Sequence, residues 1–129
     1  MRQLIRKHIS ILIVCVLLLG LCACTPAENS TDEAKSIQAT VIEIEKYGHA
    51  LLDIEIEEFS DLGFCLGDVV TVSVGNYTGD MPYFNGYYVN RGEYMLRAYP
   101  GHKNIAICIN YGNFSEIDGV KAGDDVSIT

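Results

Sequence analysis

Apolar and polar residues alternate along several short segments of the chain, a pattern typical of half-buried β-strands. The clearest segment runs from Leu52 to Glu57, where aliphatic residues alternate with acidic ones. Residues 37–45 alternate more loosely, and residues 46–49 between the two segments predict a turn. We therefore expect a β-hairpin whose outer face is acidic.

Further strands are predicted where β-branched or aliphatic residues concentrate between glycine-containing turns. No segment shows a sustained helical period, and one short helical signal lies at Ser115 to Ile117. Six or seven short strands in about 90 residues predict either a small β-barrel or a β-sandwich. The additional strand segments are residues 68–74, 94–98, 104–109 and 126–128, and residues 58–67 are expected to be irregular.

Two stretches share the same spacing of glycine, aspartate and apolar residues. One begins at Gly63 and the other at Gly119, and each continues with three residues, Gly-Asp and two apolar residues at alternate positions. Each stretch predicts a glycine-bent turn that leads into a strand. Two such turns suit the two rims of a closed or nearly closed antiparallel sheet.

Residues 1–24 differ in kind from the rest of the chain. They begin with basic residues, continue as an apolar stretch and end in Leu21-Cys22-Ala23-Cys24, which resembles a bacterial lipobox. This segment predicts an export signal, with Cys24 lipidated as the first residue of the mature protein. The alternative is an uncleaved anchor or an ordinary secretion signal. We expect a protein that is exported and held by lipid on the outer face of a bacterial cell membrane.

Residues 25–36 contain proline, serine and acidic residues without apolar periodicity. Such a composition predicts a flexible tether rather than a folded segment. Residues 37–129 are therefore the expected single domain.

Charge and side-chain chemistry narrow the function classes. The chain has a net charge of −8, and the part from Cys24 onward carries six basic against 17 acidic residues, a net charge of −11. A polyanion of this kind is a poor partner for nucleic acid, and we expect none. No metal-ligand spacing connects His49, His102 and Asp53, so we expect no metal and no cofactor.

Two cysteines remain beyond the leader, Cys65 and Cys108. Outside the membrane they could form one disulfide. Both have apolar neighbours, however, which favours two buried thiols.

A strand that ends in Asn-x-Gly-Asn is the strongest candidate for a binding site. Asn110 and Asn113 each offer an acceptor oxygen and two donor hydrogens, and Gly112 lets backbone or ligand approach closely. Such a corner can hold a planar, hydrogen-bonding ring. The alternative is that the asparagines cap the short helix and close the turn.

A cluster of aromatic residues supplies a second candidate surface. It consists of Tyr83, Phe84, Tyr87 and Tyr88, and its rings cannot all face one core from a single strand. Some of the rings should therefore be exposed or line a groove. Such rings can stack on a ligand, pack at an edge strand or mediate association.

The order of these segments resembles the C-terminal domain of the S-adenosylmethionine hydroxide adenosyltransferase and fluorinase family. The resemblance covers residues 37–129 and includes Gly92-Glu93, the loop ending at Gly101, the Asn-x-Gly-Asn corner and the final Gly-x-x-x-Gly-Asp turn. It implies an all-β fold, a small antiparallel β-barrel with one short helix near the C-terminus. It also implies a trimer whose active site lies between subunits.

The resemblance implies a role for individual residues in gripping an adenine. Tyr47 matches the stacking aromatic residue, and Asn113 with the backbone of Phe114 matches the adenine-facing corner. Together with the other corner residues, the expected ligand-binding set is Tyr47, Asn110, Gly112, Asn113 and Phe114.

Other matched positions differ from the family. Glu45 falls where the family has an aspartate, His49 where it has an asparagine, and Tyr99 where it has a serine. The part that would hold an adenine is thus partly kept, and the part that would hold the methionine end is changed.

In that family the catalytic aspartate lies in an N-terminal domain, for which this chain shows no matching segment. We therefore expect no catalytic residues and no activity from the chain alone. The expected function is an extracytoplasmic domain that binds a nucleoside-like small molecule. One alternative is an envelope interaction module that uses an inherited surface for homo-oligomerisation. Another is the partner half of an adenosyl-transfer enzyme with a separately encoded N-terminal domain.

Overall fold

The computed structural model describes residues 34–129, which form one closed β-barrel. The expected all-β barrel with a short helix near the C-terminus is confirmed. Around the barrel the strands follow the order β1-β2-β6-β5-β4-β3-β7. The strands are β1 Ile37–Ile44, β2 Ala50–Glu55, β3 Val69–Val74, β4 Tyr77–Phe84, β5 Tyr94–Ala98, β6 Asn104–Ile109 and β7 Asp125–Ile128, and the helices are α1 Ile56–Asp61 and α2 Phe114–Asp118.

The expected export signal, including Cys24, lies outside the described residues, as does the tether up to residue 33. Residues 34–36 are exposed and belong to no strand or helix. Within residues 34–129, no helix has the length and hydrophobicity needed to cross a bilayer.

The first hairpin forms as the alternation predicts. In β2, Leu52 and Ile54 are buried in the barrel, whereas Asp53 and Glu55 are exposed. β1 pairs with β2 in antiparallel register, with an irregularity just after Val41 that accounts for the looser alternation of this strand. The acidic outer face of the hairpin is therefore confirmed.

One pair of neighbouring strands is parallel, so the expectation of a wholly antiparallel barrel is wrong in this detail. Tyr83 of β4 lies opposite Leu96 of β5, and the two strands run in the same direction. The connecting segment 85–93 is therefore a crossover between two parallel strands and not a hairpin turn. Local alternation indicates the faces of a strand but carries no information about its direction.

A second short helix, α1, occupies a stretch that the sequence predicts to be the end of a strand and an irregular segment. Its Phe59 is fully buried, with its ring stacked on Phe64 at 4.1 Å and edge-on to Tyr83 at 4.9 Å between centroids. This aromatic packing stabilises a helix of six residues that is too short to show a helical period.

The internal repeat has the same hydrogen bond in both copies. In the first copy the amide of Cys65 donates to Asp68 Oδ2, and in the second the amide of Lys121 donates to Asp124 Oδ2, both at 2.9 Å. The strands that follow, β3 and β7, lie side by side in antiparallel register. The two glycine-bent turns are therefore equivalent structures that lead into neighbouring strands.

The two cysteines have different environments. Both are free thiols, and Cys108 is buried as expected. Cys65 is exposed, so the expectation of a second buried thiol is wrong. Its place in the turn, between buried Phe64 and exposed Leu66, leaves its side chain on the outside.

Candidate functional site

A pocket of about 760 Å³ opens where the turn between β1 and β2 meets the segment after β6. This volume is in the range of pockets that bind small organic molecules. Four of the five residues expected to bind a ligand line it. The lining consists of Lys46, Tyr47, His49, Tyr87, Ile109, Asn110, Tyr111, Gly112 and Asn113.

The wall after β6 is shaped by a tight reversal of the chain. Gly112 lies so close to Ile109 that a Cβ atom there would be 2.5 Å from Ile109 Cγ2. Tyr111, between them in sequence, adopts a positive φ of 58° and is largely exposed. The fold therefore requires glycine at residue 112 for steric reasons, whether or not a ligand is present.

Asn110 is committed to the fold. Its Nδ2 donates a 2.8 Å hydrogen bond to the carbonyl of Val89, which fastens the segment 85–93 to the end of β6. Its backbone amide donates to the carbonyl of Glu93 at 3.0 Å. Asn110 thus lines the pocket while its amide group holds the neighbouring loop in place.

Asn113 combines a structural position with an available donor group. Its Oδ1 accepts a 3.0 Å hydrogen bond from the amide of Glu116 and so caps α2. Its side chain also packs on Gly48, where a Cβ atom would lie 1.8 Å from Asn113 Oδ1. Among the described residues 34–129, its Nδ2 donates no hydrogen bond that meets both the distance and the angle of one. The cap of α2 therefore uses the side-chain oxygen of Asn113, and the two hydrogens on Nδ2 remain as donors for another group.

Phe114 is the one expected ligand residue whose side chain the structure does not bring to the pocket. Its ring is fully buried and packs edge-on against Tyr77 and Tyr94, at 5.7 and 5.9 Å between centroids. Burial of this ring anchors α2 on the barrel. Only the backbone of residue 114 remains for the role that the resemblance implies.

Tyr47 stands at the rim of the pocket. Its side chain is 68% exposed, and the ammonium group of Lys46 lies 5.6 Å from its ring centroid. A ring this exposed can stack on a planar ligand without rearrangement of the core.

The aromatic cluster divides between core and surface, as expected for rings that cannot share one face. Tyr83 is buried in the barrel, while Tyr87 and Tyr88 are exposed to different extents. Tyr87 lines the pocket. One member of the cluster therefore belongs to the same site as the Asn-x-Gly-Asn corner.

Behind Tyr87 lies a buried layer on the outer face of the barrel. Leu96 belongs to the core, so Arg97 beside it in β5 points to the opposite face. Arg97 is nevertheless only 8% exposed. Its guanidinium carbon lies 4.0 Å from the ring centroid of Tyr87 and 3.9 Å from that of Tyr99. The guanidinium is thus in contact with two tyrosine rings.

Arg97 has no anionic partner among residues 34–129. Its Nε and Nη1 atoms are buried and form no hydrogen bond in this part of the chain. Burying an unpaired charge costs several kcal/mol, and a desolvated cation on an aromatic face recovers about 2 kcal/mol. The two rings therefore offset only part of the cost of burying this cation.

The acidic group of this layer, Glu45, is placed between two histidines. Its carboxylate oxygens lie 3.7 Å from Nδ1 of His49 and 3.7 Å from Nδ1 of His102. Burial lowers the pKa of His49, the Glu45 carboxylate raises it in part, and the Arg97 cation lowers it further. His49 is therefore neutral near pH 7, with one ring nitrogen a hydrogen-bond donor and the other an acceptor.

Burial also suppresses the ionisation of the other groups near Arg97. It raises the pKa of the Tyr87 hydroxyl, and it raises the pKa of the Cys108 thiol to about 12. Neither group supplies a nucleophile near neutral pH. No group of three metal-ligating side chains that could hold a metal ion occurs among residues 34–129.

Sequence reasoning missed Arg97. The pattern predicts the strand Tyr94–Ala98, but a lone arginine in an apolar strand attracts attention only when both faces of the strand are known to be buried. Its charge in an otherwise apolar segment is the signal that could have identified it.

Comparisons with known proteins support the fold and give no activity. No family model matches the chain, and no curated protein matches it. An uncharacterized conserved protein from Thermotoga maritima has a similar crystal structure, with 25% identity and a TM-score of 0.67 over 74% of this chain and 36% of that one. A conserved hypothetical protein from Thermus thermophilus matches with 17% identity and a TM-score of 0.53 over 71% of this chain and 34% of that one.

The fold is a small seven-stranded barrel with a pocket at the end of β6. The chain spans about a third of the length of the two solved proteins.

Proposed function

We propose that the barrel is a non-catalytic binding domain that takes a nucleoside-like small molecule in the pocket at the end of β6. One observation carries this proposal. Four residues that the sequence analysis expected to bind a ligand line the same pocket of about 760 Å³: Tyr47, Asn110, Gly112 and Asn113. The proposed anchor is a lipid on Cys24, which would keep the domain on the outer face of the membrane.

The pocket offers two kinds of contact to a planar ring. The exposed Tyr47 can stack on the face of the ring, and the free Nδ2 hydrogens of Asn113 can donate to a ring nitrogen at its edge. Neutral His49 adds one more hydrogen-bonding group in the lining. A ring stacked on one face and bonded along one edge is the geometry that suits a nucleobase.

Calorimetric titration of the full-length protein with adenosine tests the proposal. We expect Tyr47→Ala to weaken binding by about fivefold or more, because stacking on an aromatic side chain contributes about 1–3 kcal/mol per base. Tyr88→Ala is the matched control, since Tyr88 is 70% exposed but does not line the pocket. Absence of adenosine binding, or equal losses in both variants, would contradict the proposal.

A second candidate is the partner half of an adenosyl-transfer enzyme. It is favoured by the observation that this chain matches only about a third of each of two longer solved proteins. In those two proteins the similar fold is therefore one part of a longer polypeptide. In this case the purified protein alone releases no adenosine from S-adenosylmethionine, and release begins when the separately encoded domain is added. Turnover by the repurified protein alone would contradict both candidates.

The third candidate is an interaction module that associates with itself, as a trimer by analogy. Exposed tyrosines at residues 47, 88 and 111 favour it, because tyrosine is enriched at the centres of protein interfaces. Sedimentation equilibrium decides this candidate: a monomer at all concentrations tested removes self-association as the function.

A further inference from the structure

Arg97 is a buried cation beside the pocket and lacks an anionic partner among residues 34–129. Tyr87 connects it to the pocket, because Tyr87 lines the pocket and its ring centroid lies 4.0 Å from the guanidinium carbon. The Glu45 carboxylate is directed to His49 and His102 and makes no ion pair with Arg97. The guanidinium therefore keeps unused donor hydrogens close to the pocket wall.

The distribution of charge points in the same direction. Residues 34–129 contain six lysines and arginines against 14 aspartates and glutamates. Three of the six cations surround this one pocket: Lys46 lines it, Arg91 lies over the lining Tyr111, and Arg97 lies behind the lining Tyr87. In an otherwise acidic domain, this pocket is the place where an anion would be attracted.

We propose that the ligand of the pocket is a ring compound that carries an oxyanion, a carboxylate or a phosphate, and that this group pairs with Arg97. The inference rests on the proposed function and specifies the ligand class. The rings of Tyr87 and Tyr99 lie 4.0 and 3.9 Å from the guanidinium carbon, and the N–H bonds of a guanidinium lie in its plane. A planar or tetrahedral oxyanion accepts two such bonds side by side.

Access requires a small movement of Tyr87. This residue belongs to the segment 85–93 between β4 and β5, and its side chain is 42% exposed. Tyr99, the other ring in contact with the guanidinium, does not line the pocket. Displacement of the Tyr87 ring along the guanidinium face opens a path from the pocket to Nε or Nη1.

The test compares ligands that differ in charge, with the full-length protein in calorimetric titrations. We expect adenosine monophosphate, or adenosine 5′-carboxylate, to bind at least about thirtyfold more tightly than adenosine, as is typical of a buried, hydrogen-bonded charge pair. Arg97→Met should remove this preference. Lys121→Met removes the same charge at an exposed position outside the pocket, and it should keep the preference.

Two further variants keep the proposal testable if Arg97→Met does not fold. Arg97→Lys retains the charge but not the planar set of donors, so the preference for the anion should fall by about tenfold. Tyr87→Ala opens the path to the guanidinium, so the anion should bind faster and with its preference retained. Loss of the preference for the anion in Tyr87→Ala would overturn the proposed path. An unchanged preference in Arg97→Lys would overturn the proposed pairing of the anion with Arg97.

The outcomes separate this inference from the function on which it rests. Equal affinities for adenosine and its charged derivatives in the unaltered protein would overturn the oxyanion inference and leave nucleoside binding intact. Stabilisation by benzoate or inorganic phosphate that depends on Arg97, without binding of any nucleoside, would uphold the anion site and overturn the nucleoside function. Stabilisation by benzoate but not by phosphate identifies the anionic group of the ligand as a carboxylate. Stabilisation by phosphate but not by benzoate identifies it as a phosphate.

Discussion

At the scale of single residues, Asn113 separates the two interpretations of the Asn-x-Gly-Asn corner. Its oxygen caps α2, whereas its Nδ2 hydrogens have no partner among residues 34–129. Asn113→Asp should keep the cap and the melting temperature while losing nucleoside binding. Asn113→Ala should lose both, since a missing N-cap costs about 1 kcal/mol, or about 4–8 °C in Tm for a domain of this size. Unchanged binding in Asn113→Asp would make the corner purely structural.

His49 should make the stability of the barrel depend on pH. Burial lowers its folded-state pKa below the value of 6.5 for the free side chain, so the unfolded chain binds the proton more readily. The stabilisation is therefore fully present above pH 6.5 and is lost as the pH falls towards the folded-state pKa. Thermal unfolding between about pH 8 and pH 5 should show this loss, and His49→Gln should reduce it.

The control for this pH dependence is His102→Gln. His102 faces the same carboxylate of Glu45, but its side chain is 42% exposed. Removing it should leave the pH dependence in place. A pH profile that changes equally in both variants would contradict the assignment of the pH dependence to the burial of His49.

Residues that act through local chemistry could be predicted from the sequence, and residues that act through their surroundings could not. The turn and hydrogen-bonding properties of Asn110, Gly112 and Asn113 are intrinsic to the side chains and their spacing, and all three line the pocket. The importance of Arg97 comes from burial under two tyrosines that lie on either side of it in sequence. Local pattern contains no measure of that burial.

At the scale of elements, the β1–β2 turn fixes one wall of the pocket. Gly48 has a φ of 82°, and a Cβ atom there would collide with the side chain of Asn113. Gly92 has a similar φ of 87°, but a Cβ atom there would have no neighbour within 4 Å. Gly92→Ala should lower the free energy of unfolding by only about 1–2 kcal/mol, which is the cost of a positive φ for a residue with a side chain. Gly48→Ala should lower the free energy of unfolding by about 1–3 kcal/mol more than this, because the new Cβ atom collides with the packed side chain of Asn113. Chemical denaturation measures both, and equal losses would contradict the close packing of turn and corner.

Elements with a simple period were predictable, and those defined by tertiary contacts were not. The hairpin β1–β2 and the two glycine-bent turns follow directly from alternation and glycine spacing. Helix α1 exists because Phe59 packs on Phe64 and Tyr83, and such contacts are invisible to local pattern. The parallel pairing of β4 and β5 depends on the path of the segment 85–93, which its sequence leaves open.

At the scale of the whole molecule, the expected lipid anchor determines where the binding site would operate. Replacement of Cys24 by alanine should leave an unprocessed precursor that incorporates no labelled palmitate, because the thiol of this residue is the expected acceptor. Cys22→Ala is the matched control and should be labelled normally, since Leu21 is too bulky for the small-residue position before the cleavage site. Labelling that disappears only in Cys22→Ala would move the anchor to that residue.

The pairing of β7 with both β1 and β3 has a consequence for how the chain folds. Ile128 lies opposite Ile37 of the first strand and also opposite Val72 of the third, so one short strand covers two edges at once. These edges have no partner during synthesis until the last strand emerges, and contacts between distant residues form slowly. An incomplete chain therefore presents two open strand edges to its neighbours, and such edges are templates for aggregation. Pairing of β7 is therefore the step that converts an association-prone intermediate into a closed sheet within residues 34–129.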